Sequence, residues 1–327
     1  MHSLRNSNLA DSNSEKRNNR RWVNRYQTGN FLKRNILAAL LSAVACMPAI
    51  SAELPVPALV VPAVQEHHVG KIVFVELVTP DIAAAKQFYG GLFNWTFHDI
   101  DTKMGKYTEA LMNGQAVAGF IHRPVAANQH KQPAWLSFIA VRDVDAVKKA
   151  AVEHGGKVLY EPHDIPDRGR EAVFADPQGA VFAVLASTNG DPADVLAANG
   201  EWIWSSLITV DPDTDAAFYQ DLFDYEVFEL PAGPKTQHLM FASENFARAS
   251  ANSLPSDKAI TPPHWLNYVR VDDTAKMAAK VIALGGHVLV EPRIDRHGGK
   301  VAVVADTSGA PFGLIEWPDT EIKEISK

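Results

Sequence analysis

The chain has 327 residues, 46% of them apolar and 21% charged, a formal charge of −7 and one cysteine; this is the composition of a folded protein long enough for two ordinary cores. Residues 1–35 hold eight Lys or Arg against Asp11 and Glu15, so residues 36–327 carry 23 basic and 36 acidic side chains. That acidic body argues against nucleic acid or an anionic membrane as a partner.

The first fifty residues read as an address. A basic, Asn/Ser-rich leader ends in Lys33-Arg34, the apolar run Ile36 to Ala45 follows, and Met47-Pro48 and Ile50-Ser51-Ala52 supply a breaker and a small-residue cleavage site. This layout predicts a secretory signal peptide over 1–52 and a periplasmic or secreted product, because the run is too short for a stable transmembrane anchor. Cys46 leaves lipid anchoring as the alternative, and Arg20-Arg21 sits too far upstream for a twin-arginine route. Cleavage after Ala52 removes the only cysteine and with it any disulfide chemistry.

Residues 53–69 read as a Pro- and Val-rich extended arm. His67-His68 suggests metal, but neighbouring histidines in an extended chain point apart, and linker is the better reading. Ile72 to Val78 then reads as a strand carrying one carboxylate, Glu76. Asp81 or Thr79 caps a helix whose apolar face includes Ala84, Phe88 and Tyr89. Short strands follow at Thr96–Ile100, Tyr107–Met112 and Ala116–Arg123. A second unit has a strand from Trp135 to Val141, the cap Asp143, a helix ending at Gly155-Gly156, and strands at Val158–Glu161, Glu171–Ala175 and Val181–Leu185. The first domain is thus expected over 70–188, followed by a Gly/Asp/Pro linker over 189–200.

The chain then repeats itself 130 residues on. Leu77, Thr79, Asp81, Phe88, Tyr89, Leu92 and Phe93 return as Leu207, Thr209, Asp211, Phe218, Tyr219, Leu222 and Phe223. Trp135-Leu136 returns as Trp265-Leu266, and Asp176-x-x-Gly179-Ala180 as Asp306-x-x-Gly309-Ala310. A constant offset predicts a duplication without insertion, its second copy over 201–318 and a charged tail over 319–327. The period is too long for a solenoid, whose repeats run roughly 20–50 residues.

Four β-α-β-β-β modules in tandem pairs, marked by Asp81…Phe88-Tyr89-x-x-Leu92-Phe93 and Asp176-Pro177-Gln178-Gly179-Ala180, resemble the vicinal oxygen chelate superfamily. That group includes glyoxalase I, bleomycin-resistance proteins and extradiol dioxygenases. The resemblance implies an α+β fold in which paired modules curl mixed sheets into open cups that hold ligand. It also implies a divalent metal held from three positions per domain. These fall on Phe74, Leu136 and Ala183 in the first domain and on Trp204, Leu266 and Gly313 in the second. None offers an imidazole or carboxylate donor, so no metal cofactor is expected.

Side chains two apart share a strand face. Phe74 is therefore joined by Glu76 and Val78, Trp204 by Ser206 and Ile208, Leu136 by Phe138 and Ala140, and Leu266 by Tyr268 and Arg270. Glu76 is the candidate general base, with a structural hydrogen bond as the alternative; burial is expected to raise its pKa. Phe74, Phe138, Trp204, Ser206, Tyr268 and Arg270 are the candidate ligand contacts, with core packing open for the rings and an Asp272 or Asp273 ion pair for Arg270. His163, Asp164 and Asp167, with Asp295 and His297 in the corresponding loop, read as solvated hairpins, and Arg170 and Lys300 as neutralising charges at the mouth. No P-loop, nucleophile elbow or HExxH motif is present. The expectation is a secreted protein that binds a small organic molecule without metal. The alternatives are a lyase, isomerase or dioxygenase-type enzyme, through Glu76 or relocated metal ligands, and a non-catalytic scaffold.

Overall fold

Each β-α-β-β-β unit starts where an apolar, β-branched run meets an Asp, and the Asp stops the strand by capping the helix. In the computed structural model, residues 56–102, 105–124, 133–233, 236–254, 262–295 and 299–318 are described, so the leader, Cys46, His297 and the tail from 319 lie outside them. The first half runs β1 (Ile72–Thr79), α1 (Ile82–Phe93), β2 (Thr96–Thr102), β3 (Gly105–Met112), β4 (Gln115–His122), β5 (Ala134–Ala140), α2 (Val144–Glu153), β6 (Lys157–Ile165), β7 (Gly169–Ala175) and β8 (Val181–Ser187). The second runs β9 (Trp202–Thr209), α3 (Pro212–Phe223), β10 (Glu226–Glu229), β11 (His238–Ser243), β12 (Phe246–Ser253), β13 (His264–Arg270), α4 (Thr274–Ala283), β14 (His287–Ile294), β15 (Lys300–Ala305) and β16 (Pro311–Ile315). Asp81, Asp143, Asp211 and Asp273 each accept a main-chain N–H of the first helical turn. On α1 the innermost small residue is Ala85, one place beyond the expected Ala84.

Each half builds one eight-stranded mixed sheet, in the orders β2-β3-β4-β1-β5-β8-β7-β6 and β10-β11-β12-β9-β13-β16-β15-β14. The offset of 130 holds for β1, β5 and β7, but not throughout. Glu76 pairs with Gly119 and Gly119 with Glu109, whereas Ser206 pairs with Ser250 and Ser250 with Met240. The β3–β4 hairpin therefore returns at an offset of 131. One residue has been gained before the hairpin and one lost in the loop after it, where a turn absorbs length at little cost.

The two halves do not keep separate cores. One apolar cluster joins α1 and the outer faces of β1 and β4 to Val269, Val304, Phe312 and Leu314 of the second half. The other joins Ile139, Phe174, Phe182 and Val184 to Phe218, Tyr219, Phe223 and Phe241. The duplicated motif residues form the joint. Trp135 Nε1 donates to the Tyr89 hydroxyl (2.9 Å), which donates to Asp306 Oδ2 (3.2 Å). Reciprocally, Trp265 Nε1 donates to Tyr219 (3.0 Å) and Tyr219 to Asp176 Oδ2 (3.0 Å), while Asp176 Oδ1 accepts three main-chain N–H groups of its turn. Phe218 packs where a side chain at Gly156 would stand, and Phe88 does the same at Gly286. The Phe-Tyr helix and the Asp-x-x-Gly turn thus weld the halves together, and leave the concave faces of both sheets for other uses.

Candidate functional site

Alternation along β1 separates two environments. Val75 and Leu77 face the shared cores, while Phe74 joins Phe138, Ala140, Ala183 and Leu185 in a small cluster on the concave face of the first sheet. Glu76 stands on that face and is only 7% exposed. The Tyr107 hydroxyl, from β3, donates to Glu76 Oε1 at 3.1 Å. Arg168, from the β6–β7 turn and 3% exposed, donates from Nη2 to the Tyr107 oxygen at 3.3 Å. Its guanidinium also stacks over Phe74, with Cζ 4.4 Å from the ring centre. Burial, and then the charge of Glu171, push the Glu76 carboxyl up to about 7, against the opposing pull of Arg168 and Tyr107. Burial also raises Glu109. Arg168 Nε is buried without a hydrogen-bond acceptor. Leu59, from the arm, packs onto the apolar floor, and the arm is held by Val64 N–H to the Asn189 carbonyl and Asp191 N–H to that of Glu66.

The second cup has the same frame and different contents. Trp204 and Trp317 lie 5.7 Å apart at 31°, both partly exposed. Ser206, Ser250, Asn252 and Tyr268 form a line of neutral polar groups beside them. Matched by register, Glu76 becomes Ser206, Tyr107 becomes His238, Glu109 becomes Met240 and Glu171 becomes Val301.

The family's metal positions do not fit a metal in either cup. The pairing Phe138↔Ala183 repeats as Glu76↔Gly119, and Tyr268↔Gly313 as Ser206↔Ser250. Gly119 and Ser250 therefore occupy, in the first module of each half, the place that Ala183 and Gly313 occupy in the second. Phe74, Gly119, Leu136 and Ala183 in one cup, and Trp204, Ser250, Leu266 and Gly313 in the other, include no carboxylate, imidazole or thiolate. A tyrosine fills the space in each: a Cβ at Gly119 would overlap Tyr107, and one at Gly313 would overlap the Tyr268 ring. Among the described residues, one cluster of metal-ligating types converges, His68 with Asp194 and Glu244. Lys71 lies 2.8 Å and Arg248 2.6 Å from Asp194, and Arg248 also binds Glu244 at 2.9 Å, so two cations already neutralise its carboxylates.

Of the residues singled out in the sequence, Glu76, Phe74 and Phe138 meet in the first cup, and Trp204, Ser206 and Tyr268 in the second. Arg270 is buried and donates to the carbonyls of Ala197 and Trp317, tying the linker to the sheet. Arg170 pairs with Asp145 and Asp164, and Lys300 with Glu316. His163 meets Glu171 at 3.4 Å, a contact that raises its pKa. Sequence reasoning missed Tyr107, Glu109, Gly119, Arg168 and Glu171. Tyr107 and Glu109 are two apart on one strand, a signal that alternation offered; Arg168 sits in a turn, where no periodicity points anywhere.

Residues 71–184 match the model of the Glyoxalase/Bleomycin resistance protein/Dioxygenase superfamily. "Putative glyoxylase CFP32" of Mycobacterium tuberculosis (strain CDC 1551 / Oshkosh) is 34% identical over 255 residues, 77% of this chain and 96% of that one. "Anthracycline biosynthesis protein DnrV" of Streptomyces peucetius is 32% identical over 259 residues, 76% of this chain and 93% of the other. Two solved structures share the fold. The Mn(II)-bound glyoxalase from Novosphingobium aromaticivorans has TM-score 0.54 and 18% identity, over 80% of this chain and 86% of that one. The 2,2',3-trihydroxybiphenyl 1,2-dioxygenase of Sphingomonas wittichii strain RW1 has TM-score 0.53 and 12% identity, over 76% and 91%. The chain belongs to the Glyoxalase/Bleomycin resistance protein/Dioxygenase superfamily.

Proposed function

We propose that this chain is a secreted member of its superfamily that binds a small organic molecule without a metal, and that Glu76 is its proton-transferring group. The observation that carries this is the Glu76–Tyr107–Arg168 constellation, built where Phe74, Leu136 and Ala183 stand at the positions the family uses for metal donors. A carboxyl with a pKa of about 7 is divided between its two forms at neutral pH, so it can accept a proton or give one. Tyr107 fixes its orientation. The spare Arg168 Nε–H offers a donor to a ligand oxygen, and charge developing there would be stabilised in a dry site. This chemistry suits proton transfer at a carbon next to a carbonyl: Glu76 takes the proton, the electron pair moves onto the oxygen facing Arg168, and the proton returns at a second atom. The relatives' names, one a glyoxylase and one from anthracycline biosynthesis, support an oxygenated organic ligand. Entry to the first cup requires Leu59 and the arm to yield. Secretion rests on the leader, 1–52.

The test is a thermal-shift panel of small oxo and hydroxy compounds, run with and without chelator, on the natural protein and Glu76→Gln. A stabilising ligand whose effect survives chelation and is lost in the Gln variant supports the reading. A panel in which every stabilising ligand ignores position 76 removes Glu76 from the site. Binding without turnover would make the protein a carrier rather than an enzyme.

A further inference from the structure

The second cup contains a directed chain of hydrogen bonds. Ser250 Oγ accepts from Trp204 Nε1 (3.2 Å) and from Asn252 Nδ2 (3.2 Å), which occupies both of its lone pairs. Its own proton must then go to Ser206 Oγ, 2.9 Å away. Ser206 lies beside the Tyr268 phenol, whose pKa burial raises to about 12 against the opposing pull of the Ser206 hydroxyl. Tyr268 pairs with Trp204 across β9 and β13, and its ring lies over Gly313 on the concave face.

Around Tyr268 the cup is lined by the rings of Trp204 and Trp317 and by the neutral groups of Ser206, Ser250 and Asn252. Trp204 and Trp317 present tilted rings that are still partly exposed. The positions that are acidic in the first cup are Ser206, Met240 and Val301 here. The charges that reach Tyr268, Arg293 and Asp295, are opposite in sign and offset one another. An ionic ligand would lose hydration here without gaining a partner. A planar, uncharged one gains ring stacking and a single donor.

We propose that the second cup is a separate binding site for a flat, uncharged ring system that carries an acceptor oxygen, with Trp204 as the stacking wall and Tyr268 as the donor. This deepens the reading above, since it assumes that the cups bind small organic molecules, but it assigns the second cup its own ligand class, distinct from that of the Glu76 site.

Coumarin, planar and neutral with one lactone carbonyl, is the probe. Naphthalene supplies the ring without the acceptor, coumarin-3-carboxylate the anion and N-methylquinolinium the cation. Calorimetric titration of the natural protein should show saturable coumarin binding, at least about tenfold tighter than naphthalene and tighter than either ion. Tyr268→Phe should level coumarin with naphthalene, Trp204→Leu should remove both, and Glu76→Gln should change neither. Each variant is checked for a cooperative melt, and Trp204→Phe, which keeps a ring, takes the place of a misfolded Leu variant and should weaken both probes. Preference for an ion, or coumarin binding indifferent to Trp204 and Tyr268, overturns the proposal. Should coumarin instead depend on Glu76, the second-cup site fails while the first-cup reading stands. Failure of all four probes overturns the second-cup site alone.

Discussion

At matched positions the first cup carries Glu76, Tyr107, Glu109 and Glu171, and the second Ser206, His238, Met240 and Val301. The backbone frame is the same: Glu76↔Gly119 and Ser206↔Ser250 are corresponding parallel pairs. One cup buries Glu76 and Glu109 beside Arg168, with Leu59 packed on its floor, and the other is lined by neutral polar groups and by Trp204 and Trp317, which stay partly exposed. The comparison teaches that the duplicated chain kept the residues that join its halves, along with the Asp caps that start its helices. Tyr89 and Asp306, with Tyr219 and Asp176, could not drift apart without orphaning buried donors and acceptors. The concave faces carried no such constraint and diverged.

The largest way to break the contrast is Arg168→Ala. It leaves Glu76 and Glu109 without the guanidinium whose charge reaches both, so at pH 8 the variant should lose about 3 kcal/mol in denaturant unfolding. Gly119→Ala comes next. Its methyl displaces Tyr107 from Glu76, at a cost of about 2 kcal/mol and with loss of any Glu76-dependent ligand effect, read by thermal shift.

Glu76→Gln sharpens the comparison through pH. The folded chain keeps the Glu76 proton up to about 7, whereas an unfolded carboxyl releases it near 4.5. This site therefore lowers stability progressively as pH rises from about 4.5 to 7, and the penalty is constant above that. The Gln variant should match the natural protein below pH 4.5 and exceed it at pH 8 by on the order of 2 kcal/mol. The unlike behaviour of the second cup is checked with Ser206→Ala, which should show no pH-dependent difference from the natural protein over the same range. Leu59→Ala should cost least, about 1 kcal/mol or below, and should speed ligand entry to the first cup in stopped-flow mixing.

Much of this was legible in the sequence. Strand and helix order followed from alternation, the Asp caps and the 130-residue echo, because local rules fix them. The shared cores were not legible, since Phe88 and Gly286 are far apart in the chain and nothing local says that they touch. Glu76 announced itself as a carboxylate inside an apolar run. Arg168 did not, because a turn residue becomes a site residue only through the fold. The register slip of the β3–β4 hairpin hid the pairings of Gly119 with Ser250 and of Tyr107 with His238.

The central claim is that both cups work without the family's metal. Elemental analysis of the purified protein, paired with ligand titration before and after chelation, tests it most directly. The account predicts zinc, iron, manganese, nickel and cobalt all well below one equivalent per chain, and unchanged binding once chelator has been applied. One equivalent of any of them, removed by chelator together with binding, would contradict it.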